Sequence, residues 1–136
     1  MNSRIPEDKV SFQHSFKVKL QDIDDLNHVN NVVYLQWVQE ISYMHWDILA
    51  TTSIKDACVW MTLRHEIDYL GQAYVGDTIT IYTWIDESQG VKSIRIVHIY
   101  CEDKLLTTSK TTFCLIDKET LKPKRISADI LELFTK

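Results

Sequence analysis

"NVVYLQWVQEISYMHWDILA", residues 31–50, is a long apolar segment with a narrow polar edge, and it governs how the rest of the chain must be arranged. Val33, Trp37, Ile41 and Met44 recur at helical spacing, as do Val38, Ile48 and Leu49, while Gln36, Gln39, Glu40 and Asp47 supply the polar edge. Steps of three and four residues bring side chains onto one face of an α-helix. An apolar arc this broad has to be covered on most sides. No bundle of further helices is available in this sequence to cover it.

What surrounds the segment is strand after strand. Upstream, "FQHSFKVKL" (12–20) alternates, so Phe12, His14, Phe16, Val18 and Leu20 face one way and Gln13, Ser15, Lys17 and Lys19 the other. Downstream, "VWMTLRHEIDYL" (59–70), "TITIYTWI" (78–85), "VKSIRIVHIYC" (91–101) and "KLLTTSKTTFCLI" (104–116) are rich in β-branched residues that suit a pleated surface. "YVGD" (74–77) and "DESQG" (86–90) read as turns, and such short connections favour antiparallel neighbours. "SADILELF" (127–134) reads as a short closing helix capped by Ser127. The arrangement that satisfies all of this is α+β: a curved antiparallel sheet of about five strands wrapped around one long central helix. One helix cannot cover every apolar face of such a sheet, so its open face and edge invite self-association.

The 136 residues suit one domain, 1–136, with a single core. Apolar residues at 45% and charged residues at 25% make an ordinary globular balance. A net charge of −4 gives no electrostatic reason to expect nucleic acid, and "KPKR" (122–125) reads as a solvated turn. No apolar run reaches the roughly 18 residues of a membrane span, and the N-terminus lacks the apolar core of a signal peptide. Cys58, Cys101 and Cys114 are far apart and unpaired in pattern, so they read as reduced thiols of a cytoplasmic protein. His14, His45, His65 and His98 fall on strand or helix patterns and read as packing or surface residues.

The chemistry is concentrated in "QDIDDLNHVNN" (21–31), which leads into the helix. A calcium loop is excluded, because position 26 is Leu and neither the glycine nor the distal glutamate is in place. "HEIDY" (65–69) has Tyr69 where a zinc-protease motif needs its second histidine. A helix cap explains Asn30 or Asn31, but not Asp24, His28 and both asparagines together. The functional reading uses the same helix end, where unpaired N–H donors and partial positive charge suit a developing oxyanion. Asp24 then acts as nucleophile or as general base toward water, and His28 supplies the base instead or orients the substrate. A loop folding over its own helix end brings Asp24 toward the amides of Asn30 and Asn31.

"DIDDLNHVNNVVYLQWVQE" resembles the signature of hotdog-fold thioesterases of the hydroxybenzoyl-CoA and acyl-ACP types, with Asp22, Asp24, His28, Val29, Asn30, Asn31, Tyr34 and Glu40 in their places. The "G-D" at Gly76 and Asp77 and the tail "LIDKETLKPKRI" extend the resemblance over most of the chain. It implies hydrolysis of an acyl-CoA or acyl-ACP thioester at the interface of a homodimer or homotetramer. It also implies a catalytic set of Asp24, His28 and Asn31, the last through the amide at or next to it. Asn30 and Tyr34 are candidates for substrate contact, and no cofactor or metal ion is expected. Three positions depart from the pattern. Leu26 stands where the plant acyl-ACP members carry a catalytic Asn, Asn27 where Gly commonly precedes the histidine, and Gly71–Gln72 where Arg-Pro is frequent. The first leaves the division of labour between Asp24 and His28 open, and the others bear on loop shape. Two other readings suit the same fold: a non-catalytic acyl-CoA-binding module, and a dehydratase acting on hydroxyacyl thioesters.

Overall fold

The computed structural model describes residues 4–136. Strand β1 (Ser11–Lys17) leads through a 3-10 turn (Leu20–Asp22) into helix α1 (Asn31–Leu49) and a short α2 (Thr52–Ala57). Strands β2 (Cys58–Tyr69), β3 (Thr78–Gln89), β4 (Lys92–Cys101) and β5 (Lys104–Asp117) follow, and α3 (Ala128–Leu131) closes the chain. All strand pairs are antiparallel, in the order β1-β3-β4-β5-β2, so β1 and β2 are the edges.

The helix and the sheet bury each other as the periodicities require. Tyr34, Trp37, Val38 and Ile41 of α1 form one cluster with Ile79, Ile81, Val97, Ile99 and Leu106 from the sheet, and Phe12 and Phe16 pack on its margin. A second cluster at the other end of α1 joins Cys58, Ile85 and Leu115 to Ile126, Ile130 and Phe134 of the tail. Asn30 caps α1, its side chain accepting from the Val32 N–H, and Thr51 caps α2 in the same manner toward Ile54.

Several expectations need correction. Leu20 does not continue β1: it is 78% exposed, because the chain leaves the sheet after Lys17 and turns at Leu20–Asp22. His14 shares the face of Phe12 and Phe16 but stays exposed on this edge strand. Ile48 is 65% exposed, so the buried arc of α1 is narrower than the apolar pattern. "DESQ" belongs to β3, which continues through a bulge between Ile85 and Glu87 to pair Gln89 with Lys92. Its polar residues mark a strand end running past the core, and the turn is confined to Gly90 and Val91. Gly90, at φ +65°, takes the left-handed backbone such a tight hairpin needs. Ser127 precedes α3, but its hydroxyl donates to the Asp129 carboxylate and accepts no backbone N–H. "KPKR" keeps Lys122, Pro123 and Arg125 exposed as expected, while its backbone is held by Lys124 N–H donating to Leu115 C=O.

Candidate active site at the amino end of α1

The polar density of residues 21–31 has a simple structural cause. The chain makes a small hairpin in which Asn30 N–H donates to Asp22 C=O (3.0 Å), Ile23 bridges Val29, and Asp24 N–H donates to His28 C=O (2.9 Å). Alternate residues of paired extended segments face opposite ways. Ile23 and Val29 therefore pack into the core, and Asp22, Asp24, His28 and Asn30 share the other face. At the tip, Asn27 N–H donates to Asp24 C=O (3.1 Å), and Asn27 adopts φ +67°. That left-handed backbone favours Gly and is tolerated best by Asn among the side chains. The replacement of the common glycine by Asn27 is thereby absorbed.

Asp24 lies against His28, and Asp22 lies against Asn30. The expected approach of Asp24 to the Asn30 and Asn31 amides is thus indirect, across the face of the hairpin. Asp24 Oδ1 accepts from Leu26 N–H (2.8 Å) and lies 3.7 Å from His28 Nδ1, with the two side chains 29% and 23% exposed. Oδ2 of Asp24 has no hydrogen bond among the described residues. His28 meets the Tyr74 ring edge-on at 6.2 Å.

At the helix end the amides are accounted for one by one. Asn30 N–H goes to Asp22, Val32 N–H to Asn30 Oδ1 (3.0 Å) and Val33 N–H to Asn30 C=O (2.8 Å). Asn31 N–H has no acceptor among the described residues. A cavity of about 200 Å³ opens beside it, lined by Val29, Asn31, Tyr34, Tyr69, Leu70 and Gln72. Tyr69 Oη, at the far end of β2, donates to Asn31 C=O (3.1 Å) and closes one wall.

Tyr34 borders this cavity from the core. Its hydroxyl accepts from Ala73 N–H (3.2 Å), burial raises its pKa, and its ring meets Trp37 and Tyr69 edge-on. Val29 N–H donates to Ala73 C=O (2.9 Å), so residue 73 is fastened to both the hairpin and the helix. The "G-D" pair shapes the same strap: Gly76 turns at φ +87°, and the Asp77 carboxylate accepts from Tyr74 N–H (2.9 Å).

One polar group escaped sequence reasoning. Arg95, on β4, is 3% exposed, and its Nη1 donates to His45 Nδ1 (2.9 Å) and Thr83 Oγ1 (3.0 Å). Burial and the neighbouring guanidinium hold the His45 pKa down at about 3, and burial lowers that of Arg95 to about 9. The only sequence signal was a charged residue at a position where the alternation of β4 calls for an apolar one. Desolvation raises the pKa values of the buried Cys58 and half-buried Cys101 thiols, which disfavours the nucleophilic thiolate. No helix among the described residues is long and apolar enough to cross a membrane.

The chain is similar to known proteins over most of its length. A family model described as the thioesterase-like superfamily matches residues 18–134. The chain is 26% identical over 130 residues to the long-chain acyl-CoA thioesterase FadM of Escherichia coli (strain K12), covering 88% of this chain and 94% of that one. The crystal structure of Slr0204, a 1,4-dihydroxy-2-naphthoyl-CoA thioesterase from Synechocystis, superposes with a TM-score of 0.78 at 17% identity, over 91% of this chain and 95% of that one. SAV2348 from Staphylococcus aureus, in complex with CoA, gives 0.79 at 18% identity, over 95% and 84%. At such identities the likeness to the two solved structures is one of fold, the hotdog arrangement of five antiparallel strands and a central helix.

Proposed function

This chain belongs to the thioesterase-like superfamily, and from that premise we propose that it hydrolyses an acyl-CoA thioester to the free acid and the CoA thiol. The observation carrying the proposal is the Asn31 N–H, the one amide from Asn30 to Val33 without an acceptor among the described residues, at the mouth of a cavity beside the Asp24–His28 hairpin. A thioester carbonyl oxygen seated on that N–H gains hydrogen bonding and helix-end potential as negative charge develops. Asp24 Oδ2, with no hydrogen bond among the described residues, takes the proton of the attacking water. The oxygen–carbon bond forms, the carbon–sulfur bond breaks, and the departing thiolate takes up the proton. His28 steadies the carboxylate, Asn30 holds the helix end open as its cap, and Tyr34 shapes the cavity wall. Direct attack by Asp24 is the competing route and passes through a mixed anhydride. Single-turnover hydrolysis in isotopically labelled water tests for it, since label found in Asp24 requires water to have attacked the aspartyl carbonyl of the anhydride.

CoA is favoured over ACP as the carrier because FadM is named for acyl-CoA and SAV2348 carries CoA. Residues 1–136 act as one domain, and two copies associate through the edge strand β2. Exposed Val59, Met61 and Leu63 on that strand support such a dimer, with the sites beside its interface.

The test is thiol release from a panel of acyl-CoAs. The parent protein is expected to turn over at least one class, and Asp24→Asn to lose turnover with little change in KM. Tight binding without thiol release would overturn the hydrolase in favour of a binding module, and an enoyl product would make it a dehydratase.

A further inference from the structure

Arg95 presents an unresolved charge. Its guanidinium carries five N–H donors, and the described hydrogen bonds engage only Nη1, toward two neutral acceptors. No carboxylate forms an ion pair with it among the described residues. A buried cation without a counter-charge is unfavourable, and a planar fork is best satisfied by a carboxylate. His45 does not relieve the charge. Its Nδ1 accepts from Arg95, so it is neutral there, and its buried Nε2 has no partner.

Arg95 forms part of the lining of a narrow cavity between the carboxyl-terminal half of α1 and the start of β2. Ser42, Trp46, Trp60 and Phe113 are among its walls, and exposed Tyr43 and Thr62 stand at its edge. Its volume of about 30 Å³ exceeds what a single water needs, so a carboxylate has room beside the guanidinium. Its position suits a site shared between copies. In the β2-paired dimer proposed above, antiparallel pairing about the strand centre sets the Trp60 end of one strand beside the Tyr69 end of its mate, and Tyr69 fastens Asn31.

We propose that this cavity receives a carboxylate at the far end of the acyl group, so that the preferred substrates are CoA monothioesters of dicarboxylic acids. The inference rests on the thioesterase reading for the position of the reacting carbonyl, and on Arg95 and its cavity for the far end. The carboxylate pairs with the unused donors of the fork, while the aromatic walls hold the methylene chain.

The experiment compares hexanoyl-, octanoyl- and decanoyl-CoA with the matching CoA monothioesters of hexanedioic, octanedioic and decanedioic acids. The parent is expected to favour at least one dicarboxylic member by roughly tenfold or more in kcat/KM, and Arg95→Met to bring that ratio close to one. Hydrolysis of both series without preference, or a preference that survives Arg95→Met, overturns the proposal and leaves the thioesterase reading standing. Binding of non-hydrolysable CoA thioethers, one ending in methyl and one in carboxylate, is measured by calorimetry in parallel. If nothing is hydrolysed, the thioesterase reading fails and the thioether pair decides. Roughly tenfold tighter binding of the carboxylate form sustains the Arg95 site, and equal affinity removes it. If Arg95→Met does not fold, the same pair on the parent protein decides the matter.

Discussion

Asp24 and His28 meet twice: the backbone N–H of Asp24 donates to the His28 carbonyl at 2.9 Å, and His28 Nδ1 stands 3.7 Å from Asp24 Oδ1. The backbone bond fixes the acid on its hairpin whatever the imidazole does. Asp24→Asn keeps an oxygen for the Leu26 N–H, so the fold is retained while kcat drops by about 10²–10⁴-fold. His28→Ala leaves the backbone tie and is expected to lower kcat by no more than about tenfold, the worth of one modest contact. Steady-state thiol release on the two variants checks the order. A larger loss from His28→Ala would make the histidine the principal base.

Asn31→Pro removes the N–H together with the exposed side chain, and Asn31→Ala, which keeps the N–H, is its control. Asn31 is the first residue of α1, where proline is well tolerated, and Asn30 already has φ −63° and ψ 136°, which a following proline accepts. The melting temperature is expected to stay close to the parent's and kcat to fall by about 10²–10³-fold. Unchanged kcat in a folded variant would dismiss this amide as the oxyanion donor.

Asn27 holds φ +67° at the hairpin tip. Asn27→Ala is expected to cost about 1 kcal/mol, since alanine resists the left-handed region, whereas Asn27→Gly should be neutral or slightly stabilising. Chemical denaturation of both variants reads the difference. Equal stability would mean that the loop relaxes to another backbone.

Burial keeps His45 neutral, with a pKa near 3 against an ordinary 6.5. The unfolded chain therefore binds a proton that the folded one does not as pH falls below about 6.5, and stability declines with acidification toward pH 3. Between about pH 6.5 and pH 5 the expected loss is roughly 1–2 kcal/mol. His65 and His98, also lowered by burial, add to it in the same direction. His45→Gln should flatten the dependence of melting temperature on pH over this window.

The edge strand β2 leaves Val59, Met61 and Leu63 in solvent. If two copies pair there, Met61→Lys combined with Leu63→Lys should convert a dimer into a monomer in sedimentation velocity, because like charges would face each other across the seam. A parent that sediments as a monomer would instead remove β2 as the interface.

Local pattern was enough to read α1 and the presence of the five strands, though not α2 or the strand ends. Steps of three and four along residues 31–50 specify α1 because its own side chains make the buried face, and the β-branched runs specify β2 to β5. "DESQG" misled because polar residues look alike in a turn and in a strand end that outruns its core. Asp24, His28 and the asparagines stood out because their density exceeds what capping needs. The tighter signal was the alternation in "DID" and "HVN", where one apolar residue between two polar ones turns inward on each arm of the hairpin.

From sequence alone came the helix, the strands around it and the polar cluster at its amino end, since each depends on neighbours a few residues apart. Only the tertiary structure decided which amide of that end stays unsatisfied. A backbone N–H has the same chemistry in every residue but proline, and its partners are assigned by folding. The same holds for Arg95, whose burial beside His45 and Thr83 follows from how the sheet stacks on α1. Residues this far apart in the chain meet only through the packing of whole elements, and no local pattern encodes that meeting.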